Sequence, residues 1–150
     1  MLAIDPGERR LGLAVSDPTG GIALPLEVYH RTGWAAYLAY LRRLIEIHGI
    51  TELVVGRPIT LRGTVGPQGR IAERLAQRLR EALGLPVIEL DERFSTAAAT
   101  RALEVTGRTS RRRRQYRDAV AAALILQPYL DRRRRDEALR DHNEGVMLAP

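Results

Sequence analysis

Apolar residues fall into short runs at the start of the chain and then recur at helical spacing. Leu2 to Asp5, Leu11 to Ser16 and Ile22 to Val28 each read as a strand. They are separated by Pro6-Gly7 and by the turn cluster Asp17-Pro18-Thr19-Gly20-Gly21. Connections this short join antiparallel neighbours, because a parallel crossover needs a dozen or more residues. Pro25 has no amide hydrogen for a central ladder, which places the third strand at a sheet edge.

Helices then alternate with strands. Trp34, Tyr37, Leu38, Leu41, Leu44, Ile45 and His48 mark an amphipathic helix that Gly49 ends. Leu53 to Gly56 reads as a short buried strand. Ala72, Leu75, Ala76, Leu79 and Leu83 form the inner stripe of a second helix, closed by Gly84, with Arg70, Arg74 and Arg78 on another face. Val87 to Leu90 is a fifth strand. Ser95 can N-cap a helix that stops near Gly107. A last helix is predicted from Arg112 to Tyr129, bent or ended by Pro128. Residues 131–150, with the charge run Asp131-Arg132-Arg133-Arg134-Arg135-Asp136-Glu137, read as a frayed, solvated tail. The expected division is a domain over 1–131 and a charged tail over 132–150.

This order, βββαβαβαα, predicts an α/β fold: a mixed five-stranded sheet flanked by helices, three antiparallel strands followed by parallel βαβ units. Right-handed crossovers make the first, fourth and fifth strands parallel, so their C-terminal ends share one edge. Such edges are where open α/β sheets bind ligands.

Composition narrows the partners. A chain of 150 residues with 45% hydrophobic content supports one compact domain. No apolar run is long enough to cross a membrane and the N-terminus lacks a leader's pattern, so a cytoplasmic protein is expected. Without cysteine there is no disulfide or thiolate metal site. All 24 basic residues are arginine and the net charge is +6, which suits a polyanion such as nucleic acid. The missing lysine is explained by genome composition; the positive excess is not.

Candidate chemistry gathers at the shared edge. Asp5 ends the first strand, Asp91-Glu92 follow the fifth, and Asp118 interrupts the apolar pattern of the last helix. Asp118 shares its helical face with Ala121, Ala122, Ile125 and Tyr129, which turns it toward the sheet. An isolated carboxylate there is costly, and a metal ion removes the cost. Acids from three distant segments therefore point to a metal cage.

Six blocks carry a family likeness: Ile4-Asp5-Pro6-Gly7; Arg10-Leu11-Gly12-Leu13-Ala14-Val15-Ser16-Asp17-Pro18; Val54-Val55-Gly56-Arg57-Pro58; Gly63-Thr64-Val65-Gly66-Pro67-Gln68; Asp91-Glu92-Arg93-Phe94-Ser95-Thr96; and Asp118-Ala119-Val120-Ala121-Ala122 with Ile125-Leu126-Gln127. Together they resemble, in order, the YqgF-like (RuvX) family of Holliday-junction resolvases, also linked to pre-16S ribosomal RNA processing. The resemblance implies a ribonuclease H-like fold and a metal-dependent nuclease site at Asp5, Glu92 and Asp118. Arg57 stands where the family usually has an aliphatic residue. Ala121 and Ala122 follow Asp118, whereas the more distant RuvC resolvases carry two acids on the last helix.

On that reading, two Mg2+ or Mn2+ ions roughly 3.5–4 Å apart activate water and relieve charge on the phosphate. Asp5 bridges them, while Glu92 and Asp118 each hold one. Asp91 points to the other side of its strand. Arg9, Arg10 and Arg93 beside the acids, and Arg111, Arg112, Arg113 and Arg114 ahead of Asp118, are expected to contact nucleic-acid phosphates. Thr64 and Gln68, in a loop rich in glycine and proline, are weaker candidates for a phosphate at the start of the second helix. Trp34, Tyr37 and Tyr40 read as helix core and flank rather than a base-stacking platform, and the three histidines show no ligand spacing.

The expected activity is endonucleolytic hydrolysis of structured nucleic acid: branched DNA, precursor ribosomal RNA, or both. Resolving a junction takes two opposed cuts, which favours a homodimer. The rival readings are a noncatalytic nucleic-acid-binding module of the same fold and, last, an actin-like phosphotransferase, for which the chain is too short.

Overall fold

A computed structural model describes residues 1–58, 60, 62–92 and 111–147 of the chain. Its strands are β1 (Leu2–Pro6), β2 (Arg10–Ser16), β3 (Ala23–His30), β4 (Leu53–Arg57) and β5 (Val87–Asp91). Its helices are α1 (Trp34–His48), α2 (Pro67–Leu83) and α3 (Arg111–Met147). The helix expected between Ser95 and Gly107 lies outside the described residues.

The five strands form one sheet in the order β3-β2-β1-β4-β5. β1 pairs antiparallel with β2, and β2 with β3, while β1 with β4 and β4 with β5 are parallel. This is the mixed five-stranded sheet expected from the sequence, with the Pro25 strand at one edge. The β2–β3 register slips between Leu13 and Ala14: Leu13 faces Glu27 but Ala14 faces Pro25, leaving Leu26 as the extra residue.

Strand alternation sends successive side chains to opposite faces, and the two faces are built differently. Leu2, Ile4, Leu11, Leu13, Leu53 and Val55 pack beneath α1 and α2 against Tyr37, Leu41, Leu44, Leu75 and Leu79. Burying each of these larger side chains contributes roughly 1.5–3 kcal/mol. On the other face Ala3, Ala14 and Val54 meet Ala122, Ala123, Ile125, Leu126 and Leu130 of α3. Small residues there let the helix lie close on the strands. Gly49 and Gly84 end α1 and α2 in the left-handed conformation, at φ 60° and 64°, as their positions in the sequence predict.

Two expectations for the C-terminal segment change. Pro128 neither ends α3 nor leaves a frayed tail, since the helix runs on to Met147. Proline removes one intrahelical hydrogen bond, but tertiary contacts on either side hold the helix through it. Leu130 is buried against the sheet, and Arg133 reaches back to Glu52 at 2.5 Å while pairing with Glu137 one turn on. Residues 132–143 are nevertheless exposed, so the extension is solvated although helical. Among the described residues, no helix is long and apolar enough to cross a membrane.

Candidate active site

Asp5 lies two residues after Ala3 and therefore on the α3 face of the sheet. Its neighbour across the β1–β2 ladder is Gly12. On the other side, one position past the Ile4–Val55 pair, lies Gly56 of β4. A lateral row Gly12–Asp5–Gly56 thus crosses the centre of the sheet at its C-terminal edge.

Each glycine makes room for another acid. A Cβ on Gly12 would overlap the main-chain carbonyl oxygen of Asp118, so that turn of α3 rests directly on β2 beside Asp5. A Cβ on Gly56 would overlap Glu92 Oε1 and sit 2.8 Å from Ile125 Cδ1. Glu92 follows β5 immediately, two residues beyond Leu90, the partner of Gly56, and so reaches over Gly56 toward Asp5. Asp91 falls at the alternate position of the strand, opposite Arg57.

The three carboxylates share their charge problem. Glu92 donates a side-chain hydrogen bond to Asp5, and burial is the largest influence raising both groups. Glu92 is pushed up to about 8 by burial, then by the Asp5 charge and hydrogen bond, and by Asp91. Asp5 is raised by burial and by the Asp118 charge, against the lowering effect of the Glu92 bond. One proton is therefore held between Asp5 and Glu92 near neutral pH. Asp118 is neutralised differently: Arg10 Nε lies 3.2 Å from its Oδ2. The sequence expectation that Asp118 faces the sheet holds for its backbone, but its side chain is partly exposed and paired with a guanidinium.

Among the described residues, no three His, Asp or Glu side chains are gathered tightly enough to form a ready-made metal cage. Asp5 and Glu92 are in contact, and Asp118 is close enough for its charge to act on Asp5 while it remains turned to Arg10. The three acids offer carboxylate oxygens, the ligands that hard divalent cations take. A proton and a guanidinium occupy the positions of positive charge that such cations would fill. The residues fit a hard cation, provided that Asp118 leaves Arg10.

An open cleft of about 700 Å³ begins at Asp5 and Asp118 and is walled by Pro6, Gly7, Glu8, Arg9, Arg10 and His30. Arg9 and Arg10 thus stand beside the acids, as expected. Two wall residues were not anticipated. His30 enters because the hairpin sets it opposite Arg10, which strand pairing could have revealed. Glu8 accepts a hydrogen bond from Gln68 Nε2 at 3.2 Å, tying the β1–β2 turn to the start of α2.

The remaining candidates are scattered. The Thr64 hydroxyl is 2.7 Å from that of Thr60 and serves its own turn, so Thr64 and Gln68 do not form a joint phosphate cradle. Arg57 pairs with Glu73 of α2 at 3.0 Å, on the face away from the acids. Arg93 lies outside the described residues. Arg111–Arg114 form the first turn of α3, ahead of Asp118, and their side chains also lie outside the description.

The family described as "RuvX: Holliday junction resolvase" matches residues 1–132. A protein of Moorella thermoacetica bearing the provisional name pre-16S rRNA nuclease is 44% identical over 132 residues, 88% of this chain and 94% of its own length. One from Chloroflexus aurantiacus with the same provisional name is 41% identical over 134 residues, covering 89% and 88%. Among solved structures, Thermus thermophilus RuvC in complex with a Holliday junction substrate matches at 21% identity and a TM-score of 0.49, covering 83% of this chain and 89% of that one.

Proposed function

The chain belongs to the RuvX family of Holliday junction resolvases, and on that premise we propose that it is a divalent-metal-dependent endonuclease acting on structured nucleic acid. The observation that carries the proposal is the Gly12–Asp5–Gly56 row, which brings Asp118 and Glu92 to either side of Asp5 at the ligand-binding edge of the sheet.

Asp5, Glu92 and Asp118 would hold Mg2+ or Mn2+. A metal held there would supply an activated water and offset the charge that develops on the phosphate and the departing oxygen. The chain's own residues do the rest. Loss of the proton shared by Asp5 and Glu92 opens their oxygens to a cation. Arg10 then becomes available to a phosphate oxygen, with Arg9 on the same rim of the cleft. Arg111–Arg114 lie one to two turns before Asp118 on α3, where they can extend the phosphate path. The catalytic unit is residues 1–131, and 132–150 are an appended charged segment. Work on a ribosomal precursor or a chromosomal junction would be done in the cytoplasm.

Pre-16S ribosomal RNA and four-way DNA junctions are the two substrates to separate. One site suffices to trim a precursor, whereas a junction needs a pair of sites and hence a homodimer. A noncatalytic binding module of this fold has no need of three acids around one sheet position.

The deciding assay compares junction DNA, duplex DNA and 5′-extended 16S precursor RNA, each with Mg2+ and with Mn2+, for wild type and Asp118→Asn. Metal-dependent cutting of one substrate that disappears in the variant establishes the nuclease and its target. Tight binding of all three without cutting by wild type would transfer the function to the binding-module reading.

A further inference from the structure

Beyond the acid cleft, the structure holds a second concavity of about 290 Å³ between the N-terminus of α1 and the outer face of α2. Its apolar floor includes Leu11 and Ile71, its aromatic wall is Trp34 and Tyr37, and Arg31, Arg74 and Arg78 stand at its mouth. Among the described residues, none of these arginines pairs with a carboxylate. The Arg78 guanidinium lies 3.7 Å from the centre of the Trp34 ring, giving a flat cationic plate beside the opening.

Tyr37 adds an independent sign of a missing ligand. It is only 4% exposed, and among the described residues its hydroxyl has no hydrogen-bond partner. A buried hydroxyl left in this state is costly, and a ligand acceptor entering beneath Arg31 would satisfy it. Gly33, on the rim, gives the first amides of α1 no side-chain cap.

Location decides the occupant. Leu11 pairs with Pro6, which places this concavity at the same sheet edge as Asp5 but on the opposite face. The Arg31 amide donates to the Arg9 carbonyl at 3.0 Å, joining the lip of the concavity to the arginine rim of the acid cleft. Arg9, on the rim of one opening, and Arg31, on the lip of the other, are therefore joined directly through their backbones. The volume is near the lower limit of about 300 Å³ for small-ligand pockets, which suits one base-sized group and excludes a dinucleotide. Aromatic and guanidinium planes stack on bases, and unpaired arginines bind phosphates.

We propose that this concavity binds a single unpaired nucleotide of the substrate strand, its base against Trp34 and Tyr37 and its phosphate on Arg31 and Arg74. It would thereby fix how far from an unpaired flank the strand is cut. The inference rests on the nuclease reading for the identity of the strand, but its test does not require cleavage.

Trp34 is the only tryptophan, so its fluorescence reports on this site alone. The full chain is titrated with a short single-stranded RNA and separately with adenosine and uridine 5′-monophosphates. The strand is expected to change Trp34 emission saturably, with the monophosphates binding at the same site more weakly. Arg31→Ala and Arg74→Ala should each weaken the response by about tenfold, the scale of a charge-assisted hydrogen bond. Tyr37→Phe should weaken it less. A strand that binds by fluorescence anisotropy without affecting Trp34, or a response that survives both arginine substitutions, overturns the proposal. So does a monophosphate that binds as tightly as the strand, which would mark a site for free nucleotides. A silent Trp34 in an active nuclease removes the pocket alone; a full response in a wild type that cuts nothing removes the nuclease reading alone.

Discussion

The two faces of the sheet differ in the size of what they bury, and that difference separates stability from chemistry. Beneath α1 and α2 the strands present leucine, isoleucine and valine, which fill the space to the helices. Beneath α3 they present alanine and glycine, which keep the helix close. The first face is a reservoir of buried apolar area. The second gives up some of that area to bring backbone and carboxylates together at one position, Asp5. Close approach is what the small residues contribute, and without it three acids on three elements would not act as one site.

Substitutions on each face should break the comparison in opposite ways. The largest effect is expected from Gly12→Val. Its side chain would be driven into the Asp118 carbonyl, a backbone atom that cannot move aside, so α3 must lift from β2. Overpacking costs about 1–3 kcal/mol and occasionally more, and here cleavage should vanish with the docking. Thermal unfolding followed by a cleavage assay measures both. A folded, fully active Gly12→Val protein would show that close approach is not required.

Leu53→Ala tests the other face. Leu53 is fully buried, and its truncation should cost roughly 2–5 kcal/mol in urea unfolding. Below its lowered melting temperature, the variant should cut at near the wild-type rate. Loss of chemistry out of proportion to folded fraction would mean that the faces are not separable.

Gly56→Ala sharpens the contrast. The new methyl meets the end of a flexible side chain, Glu92, and the tip of Ile125 rather than backbone. We expect about 1 kcal/mol or less in stability but a clear fall in cleavage rate, because the displaced atom is a carboxylate oxygen of the site. The diagnostic result is a rate loss much larger than the stability loss.

The smallest effect lies at the far end of the sheet. Asp17 accepts the amides of Gly21 and Ile22 and the Thr19 hydroxyl, which hold its carboxylate down to about 2 from 3.8. The folded chain therefore keeps this charge where the unfolded chain has bound a proton. The resulting stabilisation is complete above pH 3.8 and is lost as the pH falls to about 2. Asp17→Ala should lack that acid-side increment in urea unfolding while leaving cleavage at neutral pH unchanged.

Much of the fold and of the candidate site was legible in the sequence. Run lengths and turn residues gave the five strands, Pro25 marked the edge, and right-handed crossovers put Asp5, Gly56 and Glu92 at one end of the sheet. What escaped depends on contacts between distant segments. Pro128 stays within a helix because Leu130 and Arg133 are held by the sheet and by Glu52, neither of which is a local preference. The Arg10–Asp118 pair follows from how closely α3 lies on Gly12, a distance that helical periodicity does not encode. His30 lines the acid cleft through a register that includes the Leu26 bulge.

On the proposed reading Asp5, between its two glycines, would be a ligand that the metal-dependent site cannot lose. Its most direct test is the single-turnover cleavage rate of Asp5→Asn against wild type at saturating Mg2+, with circular dichroism confirming the fold. Loss of a residue that merely supports a metal ligand lowers affinity or activity about 10–100-fold, so removing the ligand itself should lower the rate by at least about a hundredfold. A folded Asp5→Asn protein that cleaves at the wild-type rate would contradict the account.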